Sequence, residues 1–296
     1  MASSASLLDP DFLRKLEAVR LAVRSVRWGS QVGGRYVINR RGSSIEFADY
    51  AAYAPGDDIR NIDWRLYARL DKLFVKTYRE EIELSVEVIV DATASMALPT
   101  AKKFERARQL GLCLAYIGLA SRHRVRMSYI QPGAMRATPP LSQRAQIKRC
   151  ATLGDSIHPG GSLEMRAWVP RAISSLKIRG GQALVISDCL YRSADLFAAL
   201  HLLMRRHLEV RLIQVVTEEE LHPARLAQSG VLVDSETGQT HELAYKPEEL
   251  DRAVRDHHEM LSQFCKRQGI LFAQHRLEEA PDQFVLKTLT RLGFLE

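Results

Sequence analysis

One carboxylate and two hydroxyls alternate in Asp91-Ala92-Thr93-Ala94-Ser95, directly after the apolar run Val86-Glu87-Val88-Ile89-Val90. Alternation along an extended loop can bring three such side chains to one point. Hard oxygen donors gathered there suit Mg²⁺ or Mn²⁺, which favour octahedral oxygen coordination. The same hydroxyls could instead cap the helix that follows. Two other segments repeat the theme. Ala183-Leu184-Val185-Ile186-Ser187 leads into Asp188, a second acid at the carboxyl end of an apolar strand, and Gly160-Gly161-Ser162 puts a hydroxyl before a helical stretch. Alone, Asp188 is an ordinary loop acid and Ser162 an ordinary N-cap. Together on one sheet edge, Asp91, Thr93, Ser95, Ser162 and Asp188 read as a divalent-metal site.

The elements that must position these residues alternate. Apolar strand-like runs at 86–90, 125–130, 183–186, 210–216 and 270–274 are separated by helical patterns at 103–122, 143–153, 163–177, 194–206 and 247–267, with a last helix at 283–292. Strands alternating with helices of this length predict an α/β fold, a doubly wound and mainly parallel sheet covered on both faces. Ligand sites in such sheets lie beyond the carboxyl ends of the strands, where the acids fall. Upstream, 11–26 has helical periodicity, a turn sits at Ala54-Pro55-Gly56-Asp57-Asp58, a short helix is expected over 62–70 and a strand over 73–77. The expected division is an N-terminal helix and extension at 1–80 and an α/β domain at 81–296, with a hairpin insertion near 231–245.

Composition narrows the function. Cys113, Cys150, Cys189 and Cys265 form no CxxC pair, which argues against a zinc ribbon or disulfide framework. No basic leader with an apolar run opens the sequence, and the longest apolar stretch, 110–120, is shorter than the ~20 residues a bilayer needs. A cytoplasmic protein without membrane insertion is therefore expected. Residues 101–150 carry 11 Lys or Arg against one acid. That run could track a phosphate backbone, but it reads more simply as a solvated helix face, so nucleic acid is not the expected partner. No GxxxxGK[ST], HExxH or GxSxG pattern occurs, and no paired acids and general base stand at one metal, so no catalytic residues are assigned.

The loop 91–95, with Ser162 and Asp188, resembles the metal-ion-dependent adhesion site of von Willebrand factor type A domains. There the first loop reads Asp-x-Ser-x-Ser, a second supplies Thr and a later one Asp. Here Thr93 replaces a Ser and Ser162 the Thr, both keeping the hydroxyl. Further upstream, Arg41-Gly42-Ser43-Ser44-Ile45-Glu46-Phe47-Ala48-Asp49-Tyr50, then Tyr53-Ala54-Pro55-Gly56-Asp57-Asp58-Ile59-Arg60-Asn61-Ile62-Asp63-Trp64 and Ala68-Arg69-Leu70, resemble the signature of the bacterial family known as domain of unknown function 58, from about Leu8 to Asp188. That resemblance implies a type A-like domain acting as an accessory or adaptor of a MoxR-class AAA+ ATPase, with an acidic residue of a protein ligand completing the metal's shell. The alternative is a metal-dependent hydrolase or nuclease using the 101–150 segment. Within the signature, Asp57, Asp58, Arg60, Asp63 and Trp64 form a dense polar turn, read either as a structural turn or as a docking surface.

Overall fold

The computed structural model describes residues 10–22, 45–55, 59, 62–80, 84–131, 134–161, 181–225, 231–233, 240–242 and 247–296. In chain order the elements are α1 (Pro10–Glu17), β1 (Ile45–Ala52), α2 (Trp64–Leu70), β2 (Phe74–Glu80), β3 (Ser85–Asp91), α3 (Lys102–Ala120), β4 (Arg124–Gln131), β5 (Ala134–Ala137), α4 (Ile147–Asp155), β6 (Gly181–Ser187), α5 (Ser193–Arg205), β7 (Leu208–Val216), α6 (Glu218–Leu221), β8 (Val231–Val233), β9 (Thr240–Glu242), α7 (Pro247–Gln268) and β10 (Leu271–Arg276). A helical turn at Pro281–Gln283 runs into a π-helical segment, Phe284–Leu289. Residues 1–24 and 84–296 form one unit and residues 25–83 another.

The larger unit is built on a six-stranded sheet in the order β10-β7-β6-β3-β4-β5. Every neighbouring pair is parallel except β4 with β5, which closes one edge antiparallel. The strand order reverses between β3 and β6, so the two central strands flank the switch point of a doubly wound sheet. Their near-continuous apolar runs follow from burial on both faces.

One face is covered by α3. An added Cβ at Gly111 would lie 2.9 Å from Met127 Cε, and at Gly118 2.8 Å from Val125 Cγ2. The two glycines that interrupt the apolar stretch at 110–120 therefore allow the helix to approach the sheet closely. The opposite face packs Ile89, Ala183, Val210 and Leu212 with Leu196, Leu200, Leu261, Phe264 and Cys265 from α5 and α7. Phe197 and Phe264 stack there at 3.9 Å between ring centroids.

The N-terminal helix belongs with this unit, whereas the expected division grouped it with the signature segment. Leu16 and Leu21 are buried, Tyr116 OH donates to Glu17 Oε1 at 2.6 Å, and Leu21 bridges Leu295. α1 ends at Glu17, earlier than the periodicity to 26 suggests, because Arg20 and Ala22 pair in extended conformation with Glu296 and Phe294. The fully buried Arg211 guanidinium donates to the carbonyls of Ala22 and Phe294, tying both ends of the unit to β7.

The smaller unit pairs β1 with β2 antiparallel, with a register shift between Phe47 and Asp49. Ile62 bridges Val75, and both are buried. The hairpin expected near 231–245 contains the antiparallel pair β8–β9. The helix expected at 163–177 lies outside the described residues.

Glu87 sits fully buried in the middle of β3, with Ser128 Oγ donating to it at 3.4 Å. Burial pushes its carboxyl up to about 7, against the opposing pull of Arg126 and the Ser128 hydrogen bond. Below about pH 4.5 the folded and unfolded chains both carry the proton. Between that value and about pH 7 only the folded chain keeps it, so stability falls as pH rises. Glu87→Gln is predicted to remove this loss. It should match wild type in urea unfolding at pH 4 and exceed it at pH 8 by roughly 3 kcal/mol. Equal midpoints at pH 8 would show that Glu87 ionises without cost.

Candidate metal-binding edge of the sheet

Asp91 ends β3, and Asp188 follows β6 on the neighbouring central strand, so parallel pairing brings both acids to the switch-point edge. Asp91, Thr93, Ser95, Ser187 and Asp188 are all buried. Asp91 Oδ1 accepts from Thr93 N at 3.0 Å and from Thr93 Oγ1 at 2.8 Å. Its Oδ2 accepts from Ser187 Oγ at 2.7 Å and Tyr191 OH at 2.6 Å. Thr93 Oγ1 is also 3.1 Å from Ser95 Oγ and 3.2 Å from Tyr191 OH. Each hydroxyl has one proton. Those of Thr93 and Tyr191 go to Asp91 or are shared between the two hydroxyls, either of which can donate to the other.

Asp188 is held differently. Its Oδ2 accepts from Lys103 Nζ at 2.9 Å and its Oδ1 from Leu190 N at 3.2 Å. Lys103, in the first turn of α3, is completely buried, and its ammonium also donates to Glu220 Oε1 at 2.5 Å. Glu220 closes a capping box with Thr217. Thr217 N donates to Glu220 Oε2 at 3.0 Å and Glu220 N to Thr217 Oγ1 at 3.2 Å. One ammonium thus links α3, the loop after β6 and the turn after β7.

Two carboxylates, Asp188 and Glu220, share one ammonium, and a third, Asp91, lies near enough to Asp188 to feel its charge. With all of them ionised, two negative charges remain uncompensated. Burial raises the Asp91 carboxyl and the nearby Asp188 charge raises it further, while the hydrogen bonds from Ser187, Tyr191 and Thr93 oppose both. Burial likewise raises Glu220, against the Lys103 charge.

The first loop offers oxygen donors of the kind a divalent ion takes. Oxygens at adjacent corners of a Mg²⁺ octahedron lie about 2.9 Å apart, given bonds of about 2.0–2.1 Å. The Asp91–Thr93 and Thr93–Ser95 separations, 2.8 and 3.1 Å, are compatible with that edge and are equally those of the hydrogen bonds that join these atoms. Asp188 does not offer a free oxygen in the same way, since Lys103 and Leu190 N already engage it. Among the described residues no group of three or more His, Cys, Asp or Glu side chains could hold a metal, so any ion would rest on mixed carboxylate and hydroxyl donors. Ser162 lies outside the described residues. Its neighbour Gly161 accepts from Ala94 N at 3.1 Å, which brings Gly161 itself against the first loop.

Of the signature residues, Asp57, Asp58 and Arg60 lie outside the described residues. Asp63 is buried and caps α2, its Oδ1 accepting from Arg65 N at 3.0 Å and Leu66 N at 3.1 Å, while Tyr50 OH donates to Oδ2 at 3.1 Å. Trp64 is exposed and meets Tyr67 edge-on. Some of the basic run at 101–150 is engaged within the fold, while Arg136, Lys148 and Arg149 line one surface cavity. Lys103 is buried, Arg106 donates to Glu279 O, Arg108 pairs with Asp155 at 3.0 Å and Arg144 with Glu17 at 3.2 Å.

The strand order, the antiparallel edge strand and the Asp-x-Thr-x-Ser loop at the switch point define a von Willebrand factor type A-like α/β domain. The chain belongs to the family described as protein of unknown function DUF58, which matches residues 49–264. That match extends well past Asp188, where the signature weakens to the eye. The chain is 25% identical over 254 residues to the uncharacterized protein Rv1480 of Mycobacterium tuberculosis, covering 84% of this chain and 77% of that one. Among solved structures it is similar to the conserved hypothetical protein BatB of Bacteroides thetaiotaomicron, with TM-score 0.41, 14% identity, and 71% and 98% of the two chains covered. A von Willebrand factor type A protein of Catenulispora acidiphila aligns with TM-score 0.38 and 13% identity over 75% and 43%. Among the described residues, no helix is long and apolar enough to cross a membrane.

The cap geometry generates a prediction for the signature. Asp63→Ala should lower stability by about 1 kcal/mol, with an upper range near 2, because two orphan N–H groups of α2 lose their acceptor. Thermal unfolding would measure it. A variant as stable as wild type would remove the structural role.

Proposed function

We propose that the chain is a metal-dependent protein-interaction module in which Asp91, Thr93 and Ser95 hold Mg²⁺ or Mn²⁺, with Ser162 and Asp188 as further members of the shell, directly or through water. The observation that carries the reading is the contiguous run of oxygen donors Asp91 Oδ1, Thr93 Oγ1 and Ser95 Oγ beside buried negative charge that Lys103 only partly offsets. The ion would supply a strong, exchangeable positive charge for an incoming carboxylate. The protein's own residues do the rest. Ser187 and Tyr191 orient Asp91, and Lys103 orients Asp188. A hydrolase reading finds less support. The carboxylates at this edge are already engaged, Asp188 by Lys103 and Leu190 N and Glu220 by Lys103 and Thr217 N, so neither is left to take a proton from an attacking water.

The partner that family resemblance suggests is a MoxR-class AAA+ ATPase, presenting an Asp or Glu to the metal. Working beside such an ATPase, an adaptor with an exchangeable ion could bind and release its target without chemistry of its own.

Two predictions follow from this reading. In calorimetric titration with MgCl₂ or MnCl₂, Asp91→Ala should abolish binding, and Asp188→Ala should weaken it about 10- to 100-fold, while circular dichroism stays native. Unchanged affinity in both variants would remove the proposed site. In a titration of a purified MoxR-class ATPase, chelator and Asp91→Ala should each eliminate binding, whereas Thr93→Ser should retain it because the donor oxygen persists. Added salt should weaken the contact only partly, since screening acts beyond a Debye length of about 10 Å at 0.1 M and a coordinated carboxylate lies far inside it. The same affinity under all these conditions would mean that the ATPase docks away from the metal edge.

A further inference from the structure

The most unusual group at this edge is a lysine. Its side chain has no exposure, yet it lies in a segment whose other basic residues are mostly partly or fully exposed. Burying an ammonium costs several kcal/mol unless it is paired and hydrogen-bonded. Lys103 meets that requirement with two carboxylates from two different loops, at 2.9 Å and 2.5 Å. Each acceptor is fixed by a second contact. Asp188 takes Leu190 N, and Gln214 Nε2 donates to the Asp188 carbonyl at 2.9 Å. Glu220 is held by Thr217 N. The ammonium therefore sits in an anionic seat whose two acceptors are each held by further hydrogen bonds.

We propose that the Lys103 ammonium is a built-in cation, doing at Asp188 and Glu220 what a divalent ion would otherwise do, and that it confines exchangeable metal to the Asp91–Thr93–Ser95 side of the edge. The second half of this statement rests on the metal-binding reading above; the first half does not. An ammonium on a covalent tether is always present, so α3 and the two loops stay joined whether or not metal is bound. It also removes Asp188 Oδ2 from the donors that a metal can reach, and places a positive charge where a second ion would have to approach. Lys103 is thus a positioning residue for the site. It differs from an ordinary internal ion pair in one measurable respect: its removal should convert Asp188 and Glu220 into metal ligands rather than simply loosen the fold.

The test uses the full chain, with MgCl₂ and MnCl₂ as probes, in thermal unfolding with and without chelator and in calorimetric titration. Lys103→Met should lower the unfolding temperature in chelator, and saturating Mn²⁺ should recover most of that loss, a larger metal-induced rise than in wild type. Lys103→Met/Glu220→Gln leaves fewer unpaired carboxylates and guards against a misfolded single variant. It should bind Mn²⁺ at least about tenfold more tightly than wild type, because Asp188 becomes available and the repelling charge is gone. Folded variants with no gain in metal affinity and no extra metal-induced rise would overturn the proposal. So would variants that stay unfolded at every metal concentration, since an ion could then not replace the ammonium. If wild type binds no metal but the variants do, the built-in cation stands and the metal-dependent interaction reading fails. If wild type binds metal and the variants bind it no better, the reverse holds.

Discussion

Two carboxylates end neighbouring central strands, and a parallel sheet covered on both faces keeps both away from water. The energy of that juxtaposition constrains the rest of the edge. A buried carboxylate left without partners costs several kcal/mol, and two close together raise each other's cost. The protein answers the two acids in different ways. Asp91 is surrounded by neutral donors from Thr93, Ser187 and Tyr191, which stabilise its charge without cancelling it. Asp188 receives a full positive charge. The asymmetry matters, because a carboxylate met only by dipoles keeps its field and can still attract a cation, whereas one met by an ammonium largely loses it.

Packing far from the edge serves this arrangement. Lys103 reaches Asp188 only if the first turn of α3 lies over the carboxyl ends of β3 and β6. Gly111 and Gly118 set the helix close to the sheet, where larger residues would meet Met127 and Val125. The Thr217–Glu220 capping box fixes the second acceptor, so a local device for starting a single helical turn also contributes to buried charge balance. Tyr191 arrives from the loop before α5, just after Cys189, whose backbone is left-handed with φ of 59°. That residue is not glycine, and the turn is held by Ser187 Oγ, which accepts from Cys189 N at 3.0 Å while donating to Asp91.

These dependencies explain what could be read in the sequence and what could not. The alternating strands and helices were legible because burial on both faces leaves long apolar runs, and the acids ending two such runs pointed to the edge. The donors that complete the site left weaker marks. Lys103 is one of eleven basic residues in a fifty-residue stretch, and nothing in its spacing separates it from its exposed neighbours. Only its place in the first helical turn after the Asp91 loop offered a hint. Glu220 is the fourth residue of Thr217-Glu218-Glu219-Glu220, a capping pattern that went unread, and its approach to Lys103 depends on β7 lying two strands from β3. β5 escaped notice because Ala134-Met135-Arg136-Ala137 has no β-branched residue and owes its conformation to pairing with β4.

The smaller unit shows why an acid's neighbours, rather than its identity, decide its work. Asp63 is buried like Asp91 and also accepts from backbone N–H groups and a tyrosine hydroxyl. Its donors, however, belong to the first turn of a helix, whose partial positive charge it balances locally. Asp91 stands at the end of a strand, beside a second acid, with hydroxyl oxygens turned toward it and lone pairs left over. A carboxylate that closes a helix end has no further use for a cation. One that gathers oxygens around an unbalanced charge does, and a tethered ammonium next door relieves only part of that demand. On the proposed reading, joining a permanent cation to an exchangeable one would keep the loops in register while the charge seen by a partner is allowed to change.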